Sequence, residues 1–173
     1  MSSTPYDYLF TESSEKWGVP EAILKAIAWK ESSMRPGIDP NPPRDGVGLM
    51  QMTEATARSL GYMGTREGLK DPAVNIDLGA QYVSRIADGQ GGFNLADLYS
   101  EYNSGRAKLW ETSQQVAANV AGFLKFFAAE VGVSIPDGLS IQQMLGIVGS
   151  LGGEAAGGVL LVLALVLYFA RRR

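Results

Sequence analysis

The fold is decided by residues 17–57, which read WGVPEAILKAIAWKESSMRPGIDPNPPRDGVGLMQMTEATA. Near the start of this stretch, four apolar side chains recur at helical spacing and form one stripe: Ile23, Leu24, Ile27 and Ala28. We therefore predict a helix that begins after Pro20 and ends near Ser32. Glu31 follows Ile27 by four residues, so the pattern predicts a carboxylate on the core-facing side of the helix, at its end.

The segment that follows this helix cannot continue it. Residues 35–48 contain four prolines and three glycines, a composition that predicts a long loop. Elsewhere, apolar residues repeat at helical spacing, and the expected start and stop signals are Thr4-Pro5, Gly18, Thr53, Gly61, Asp71-Pro72, Asn94 and Gly105. A last helix is predicted from Thr112 to about Val131. Period-two alternation is nearly absent, so we predict a mainly α-helical domain over residues 1–131.

Composition excludes several classes of function. The chain has no Cys and no His, which removes thiol nucleophiles, Ser-His triads, disulfides and zinc sites of the usual kind. Catalysis must then rest on carboxylates, and neither a metal nor an organic cofactor is indicated. The formal charge is −3 and the cations form no basic stripe, so nucleic acid is not an expected partner.

The C-terminal part of the chain changes character. Residues 132–154 are rich in Gly, Ala and Ser and are predicted to be a linker or the start of a helix. Residues 155–173 are predicted to be a transmembrane anchor, because 155–170 carry no charge and three arginines follow. As a helix, 155–170 would span about 24 Å of a bilayer core of ~30 Å. Helix pairing through Gly149, Gly153 and Gly157, spaced four apart, is a weaker prediction.

Three motifs occur in a characteristic order along the chain. They are Glu31-Ser32 at a helix end, Gly48-Leu49-Met50-Gln51 after the Pro-rich loop, and Tyr102-Asn103-Ser104-Gly105, with Asn75, Gly79 and Tyr82 between the last two. This arrangement resembles the soluble lytic transglycosylases, which are related to goose-type lysozyme, over roughly residues 15–125. The resemblance implies a lysozyme-like helical domain that acts on bacterial peptidoglycan.

The resemblance also implies a mechanism with a single carboxylate. Glu31 would protonate the oxygen between N-acetylmuramic acid and N-acetylglucosamine and then accept the proton of the muramyl 6-hydroxyl, which gives a 1,6-anhydro end. Ser32, Met50, Gln51, Tyr102 and Asn103 would bind the sugar or support the cleft. Core packing explains Met50 about equally well, and helix termination explains Asn103 without any substrate.

The physical chemistry of glycan cleavage fits Glu31. An acid that protonates a leaving oxygen near neutral pH needs a raised pKa, and the apolar stripe predicts the burial that would raise it. A hydrolysing muramidase would need a second carboxylate, for which the candidates are Asp39, Asp45 and Glu101. Glu101 also departs from the family pattern, which has a small residue before Tyr-Asn. A non-enzymatic glycan-binding or membrane structural protein is the other alternative.

The expected location follows from the anchor. Terminal arginines predict a cytoplasmic C-terminus and a domain on the side of the wall, in the bacterial inner membrane facing the periplasm. The N-terminal residues lack the features of a signal peptide, which conflicts with that route. A virion transglycosylase of a membrane-containing bacteriophage, seated in the inner membrane of the particle, would resolve the conflict.

Overall fold

The computed structural model describes residues 3–39 and 45–150. Those residues form seven α-helices: α1 Asp7–Trp17, α2 Glu21–Ser32, α3 Glu54–Ser59, α4 Pro72–Gln90, α5 Leu95–Ser104, α6 Gln114–Glu130 and α7 Ile141–Ser150. Two 3₁₀ turns, Glu67–Lys70 and Leu109–Glu111, lie between them. In the same residues the extended structure is limited to an isolated bridge between Val47 and Met52. The prediction of a mainly α-helical fold is confirmed for this part of the chain.

Local capping determines five helix ends as predicted. The side chain of Thr53 accepts a hydrogen bond from the Thr56 amide (3.0 Å) at the start of α3, and Asn94 accepts one from the Asp97 amide (3.4 Å) at the start of α5. Helix α4 begins at Pro72, and the carboxylate of Asp71 just before it accepts hydrogen bonds from the amides of Ala73 and Val74. Gly18 and Gly105 end α1 and α5 in the left-handed conformation.

The predicted start of the first helix was wrong. Thr4 does not cap α1, which begins at Asp7 with Tyr6 as the flanking residue. The Thr4 hydroxyl and amide instead donate to the Asp7 carboxylate, at 2.7 and 3.2 Å. As an acceptor, the Thr4 hydroxyl bonds the Tyr6 amide at 3.3 Å, one residue before the helix begins.

The described residues divide into two compact units, with the boundary between Arg85 and Ile86. In the N-terminal unit, α1 packs against α2. The contact is reinforced by Lys25 on α2, whose ammonium pairs with Asp7 on α1 at 3.0 Å and with Glu21 at 3.1 Å. Desolvation raises the pKa of Asp7, but the hydrogen bonds from Thr4 and Lys25 together outweigh it and hold that pKa well below its usual range. The Asp7 carboxylate is therefore ionised in the folded unit.

The C-terminal unit is built on α5, α6 and α7, which pack against one another. Its core contains a stack of aromatic rings in which Tyr99 and Phe123 lie 4.6 Å apart, followed by Phe127. Helix α7 falls in the interval where the sequence allowed either a linker or the start of a helix, and residues 141–150 are helical. Packing thus continues past the predicted domain end at residue 131.

The predicted anchor, residues 155–173, lies outside the described residues, as do Gly153 and Gly157. Among the helices at 3–39 and 45–150, none is both long enough and apolar enough to cross a bilayer. Gly149 is exposed near the end of α7, and the space around it is open. Both the anchor and the helix pairing stay predictions.

Candidate active site

Glu31 lies in the last turn of α2 and is half-buried. Leu24 and Ile27, on the same face of the helix, are fully buried, so the carboxylate extends the apolar stripe as the sequence predicted. Ser32 is buried next to it, and its hydroxyl donates to the Ala28 carbonyl at 3.0 Å. This bond of the Ser32 side chain supports the helix end.

A series of hydrogen bonds connects this helix end to the Gly-Leu-Met-Gln segment. The Ser32 carbonyl accepts from the amide and the Nε of Arg35, at 3.3 and 3.0 Å. The Arg35 carbonyl accepts from the Ile38 amide, and the Ile38 carbonyl in turn accepts from the Gly48 amide at 2.8 Å and from Nε2 of Gln51 at 3.4 Å. The residue after Glu31 is therefore tied to the segment that carries Gln51.

Gly48–Gln51 form a tight turn. Val47 and Met52 close it with two backbone hydrogen bonds of 3.0 and 2.9 Å, and the Gln51 amide donates to the Gly48 carbonyl at 3.3 Å. Gln51 has φ of 48°, a left-handed conformation that costs a non-glycine residue free energy. Its side-chain nitrogen also donates to the Gly48 carbonyl, at 2.9 Å, so Oε1 is the part of the amide not used in bracing the turn.

Met50 points into the core of the N-terminal unit. Its side chain is fully buried, and a Cβ added at Gly79 on α4 would lie 2.3 Å from the Met50 sulfur. Leu49 is fully buried as well. This geometry favours the packing role for Met50 over direct contact with a sugar, and it explains why a glycine stands at position 79.

Asn75 is the residue of this region whose role sequence reasoning missed. It is fully buried in the first turn of α4, where its side chain donates to the carbonyls of Leu69 and Val47, at 2.7 and 2.8 Å. Its carbonyl oxygen accepts from the Met50 amide at 2.7 Å. The sequence signal was its place between the Gly-Leu-Met-Gln and Tyr-Asn motifs, with no indication of what it contacts.

Asp39, a candidate second acid, is held by two cations. Its Oδ1 pairs with the Arg66 guanidinium at 2.7 Å and its Oδ2 with the Lys70 ammonium at 3.2 Å. The hydrogen bond from Arg66 is the main reason that the pKa of Asp39 lies below its usual range. Arg66 also donates to the Asp45 carbonyl at 3.0 Å, so one guanidinium binds residues on both sides of positions 40–44.

In the described part of the chain, no three carboxylates are grouped so that they could hold a metal ion.

Tyr102 and Asn103 belong to the C-terminal unit, at the end of α5. The Tyr102 ring is half-buried and stacks on the ring of Tyr99, with centroids 6.4 Å apart. Asn103 is exposed, and its Oδ1 accepts from Asn119 at 3.0 Å. Glu101 accepts from the neutral amide of Gln90 at 2.9 Å.

The predicted site residues are divided between the two units. The N-terminal unit contains Glu31, Ser32, Met50 and Gln51, and the C-terminal unit contains Tyr102 and Asn103.

Residues 8–121 match the transglycosylase SLT domain family. Among solved structures, the chain resembles an inactive mutant of the lytic transglycosylase Slt from Pseudomonas aeruginosa, with 20% identity over 76% of this chain and a TM-score of 0.62. It also resembles the 70 kDa soluble lytic transglycosylase of Escherichia coli, with 22% identity over 75% of this chain and a TM-score of 0.62. A 70-kDa soluble lytic transglycosylase in complex with bulgecin A matches with 23% identity over 75% of this chain and a TM-score of 0.64. The match covers about 25% of the length of each of those chains. Because the family match covers well over half of its length, this chain belongs to the transglycosylase SLT domain family.

Proposed function

We propose that this protein is a peptidoglycan lytic transglycosylase that cleaves the β-1,4 bond between N-acetylmuramic acid and N-acetylglucosamine. The observation that carries the proposal is the position of Glu31. Glu31 is half-buried at the end of an apolar helix stripe, where Leu24 and Ile27 are fully buried. Partial desolvation of this kind favours the neutral form of a carboxyl group, the form that a general acid needs. The hydrogen bonds through Arg35 and Ile38 connect this helix end to the turn of Gln51, which supplies a polar group for sugar binding.

The reaction needs one group that acts first as an acid and then as a base. Glu31 donates its proton to the glycosidic oxygen as the bond to the muramyl C1 breaks, and the substrate's acetamido group stabilises the cationic carbon. The ionised Glu31 then takes the proton from the muramyl 6-hydroxyl while that oxygen bonds to C1. No water is consumed, and Glu31 returns to its protonated form.

The other motif residues support this chemistry in the proposal. Oε1 of Gln51 hydrogen-bonds the sugar next to Glu31, and in the C-terminal unit the hydroxyl of Tyr102 and the side chain of Asn103 bind sugar as well. Ser32 and Met50 support the site of Glu31 from the protein side, in keeping with the hydroxyl bond of Ser32 to Ala28 and the burial of Met50.

A muramidase is the second candidate, because a hydrolase differs only in the use of water and a second carboxylate. Asp39 is poorly suited to that role, since both of its oxygens are paired with cations. Asp45 and Glu101 remain as candidates, and the Glu101 carboxylate accepts a hydrogen bond from the neutral amide of Gln90.

Digestion of purified peptidoglycan separates the two reactions. We expect mass spectrometry of the released muropeptides to find 1,6-anhydromuramyl ends, which are lighter by one water than reducing ends. A parallel digestion of the same peptidoglycan with a known muramidase provides the reference for reducing ends. Reducing ends as the main product would contradict the transglycosylase and support the muramidase.

We also propose that residues 155–170 anchor the enzyme in a bilayer, and that the enzyme opens the wall locally while a membrane-containing phage enters its host. The support is the joining of a wall-cutting domain to an uncharged apolar run that is followed by three arginines.

A flotation experiment tests the anchor. The full chain should float with phospholipid vesicles, and the double substitution Leu161→Lys with Leu165→Lys should abolish flotation. The control is Met63→Lys, at a side chain that is 85% exposed, and it should leave flotation unchanged. Detection in host inner membrane but never in purified particles would exclude the phage role.

A further inference from the structure

Asn75, on α4, connects two other backbone segments through one buried side chain. It donates to Val47 at the start of the turn and to Leu69 in a 3₁₀ turn, and it accepts from Met50 within the turn. All three donor–acceptor distances are 2.7 or 2.8 Å. A buried backbone group that has no hydrogen-bond partner destabilises the fold. Because Asn75 supplies partners to these groups, it allows the turn to be buried against α4.

The turn is packed directly onto the Asn75 amide. A Cβ at Gly48 would lie 2.5 Å from the Asn75 nitrogen and 2.7 Å from the Leu69 carbonyl oxygen. On the other side, a Cβ at Gly46 would lie 2.7 Å from the carbonyl oxygen of Gln51. Glycine at both positions therefore lets the backbone approach closely, and the turn has little room to shift.

This close packing bears on Gln51, which is in a strained conformation with φ of 48°. Such a conformation persists where surrounding contacts determine it. Asn75 bonds the residue just before Gln51 and, through Val47, the bridge that closes the turn. Its hydrogen bonds are thus placed to keep the Gln51 backbone in the left-handed region.

We infer that Asn75 is a positioning residue of the active site, which acts on the reaction by holding Gln51 in place and does not itself touch the sugar. The inference rests on the proposed function. Asn75→Asp is the sharpest probe, because aspartate has the same shape and can still accept from the Met50 amide. Its carboxylate has no proton to donate to Val47 and Leu69.

The test compares initial rates of anhydromuropeptide release at low substrate concentration, well below the unfolding temperature of each variant. Asn75→Asp should lower kcat/KM by about tenfold to a hundredfold, because a small misplacement of a substrate-orienting group has effects of this size. In a Gln51→Ala background the same change should have little further effect, since the two residues act as a unit.

A structural control removes the contribution of stability alone. Val83→Ala opens a cavity at another fully buried position of α4 and should lower the melting temperature while it leaves kcat/KM of the folded enzyme unchanged. If Asn75→Asp does not fold, Asn75→Ser replaces it in the cycle, because its hydroxyl keeps one donor and one acceptor.

Two results would overturn the inference: a wild-type kcat/KM in the folded Asn75 variant, or a loss that multiplies in full with that of Gln51→Ala. Failure of the proposed function looks different. In that case the wild-type chain itself releases no anhydromuropeptides, or the Glu31→Gln chain releases as many as the wild type does.

Discussion

Replacing Glu31 with glutamine should reduce muropeptide release on the order of a thousandfold, the size typical of a lost general acid and base. Glutamine keeps the volume of the side chain but can neither protonate the glycosidic oxygen nor accept the proton of the 6-hydroxyl. No His or Cys exists in the chain to take over this role, and both oxygens of Asp39 are held by cations. The measurement is the rate of release from purified peptidoglycan.

The matched control is Glu12→Gln. Glu12 is exposed on α1, so the same chemical change there should leave the rate within experimental error of wild type. The Glu31 variant should also keep the circular dichroism spectrum and the sedimentation with insoluble peptidoglycan of the wild type. An unchanged rate of release in Glu31→Gln would rule out this catalytic assignment and leave a non-enzymatic role in glycan binding or membrane structure.

The parts of the fold that could be predicted from sequence depend on short-range interactions. Thr53, Asn94 and Gly105 determine helix ends through bonds to groups three or four residues away, and all three were recognised. Thr4 was misread because its hydroxyl oxygen accepts from the Tyr6 amide, which lies just before the helix and not inside it. Local chemistry predicts which residues can cap but not which amide the capping side chain bonds.

The candidate site was predictable only in part, because its support is long-range. The periodicity of α2 predicted that Glu31 would share the buried face, and it is half-buried there. Asn75 bonds groups 25 and 28 residues away, and no spacing rule in a single sequence indicates such partners. Met50 could not be assigned from sequence for another reason, since an apolar residue within a motif suits a cleft wall and a core equally. Contact of Ser32, Gln51, Tyr102 and Asn103 with sugar stays a prediction.

Gly48 offers the strongest test of how the turn is built, because alanine there meets two independent obstacles. Its φ of 78° disfavours any side chain by about 1–2 kcal/mol. The new Cβ would also lie 2.5 Å from the Asn75 nitrogen and 2.7 Å from the backbone oxygen of Leu69. Relieving these contacts would leave buried hydrogen-bonding groups without partners, at a cost of about 1–3 kcal/mol each. We expect Gly48→Ala to lower the free energy of unfolding by about 3 kcal/mol or more, and the melting temperature by roughly 10 °C.

Gly61→Ala separates the two obstacles. Gly61 has φ of 92° in the same unit, and nothing lies within 4 Å of the Cβ that alanine would add, so only the backbone cost applies. Thermal and denaturant unfolding of both variants should therefore place Gly61→Ala close to the wild type, within about 1–2 kcal/mol, and Gly48→Ala well below it. Equal losses at the two positions would mean that backbone conformation alone requires glycine at 48. The contact between the turn and Asn75 would then contribute little to holding Gln51, whereas a large difference measures that contact directly.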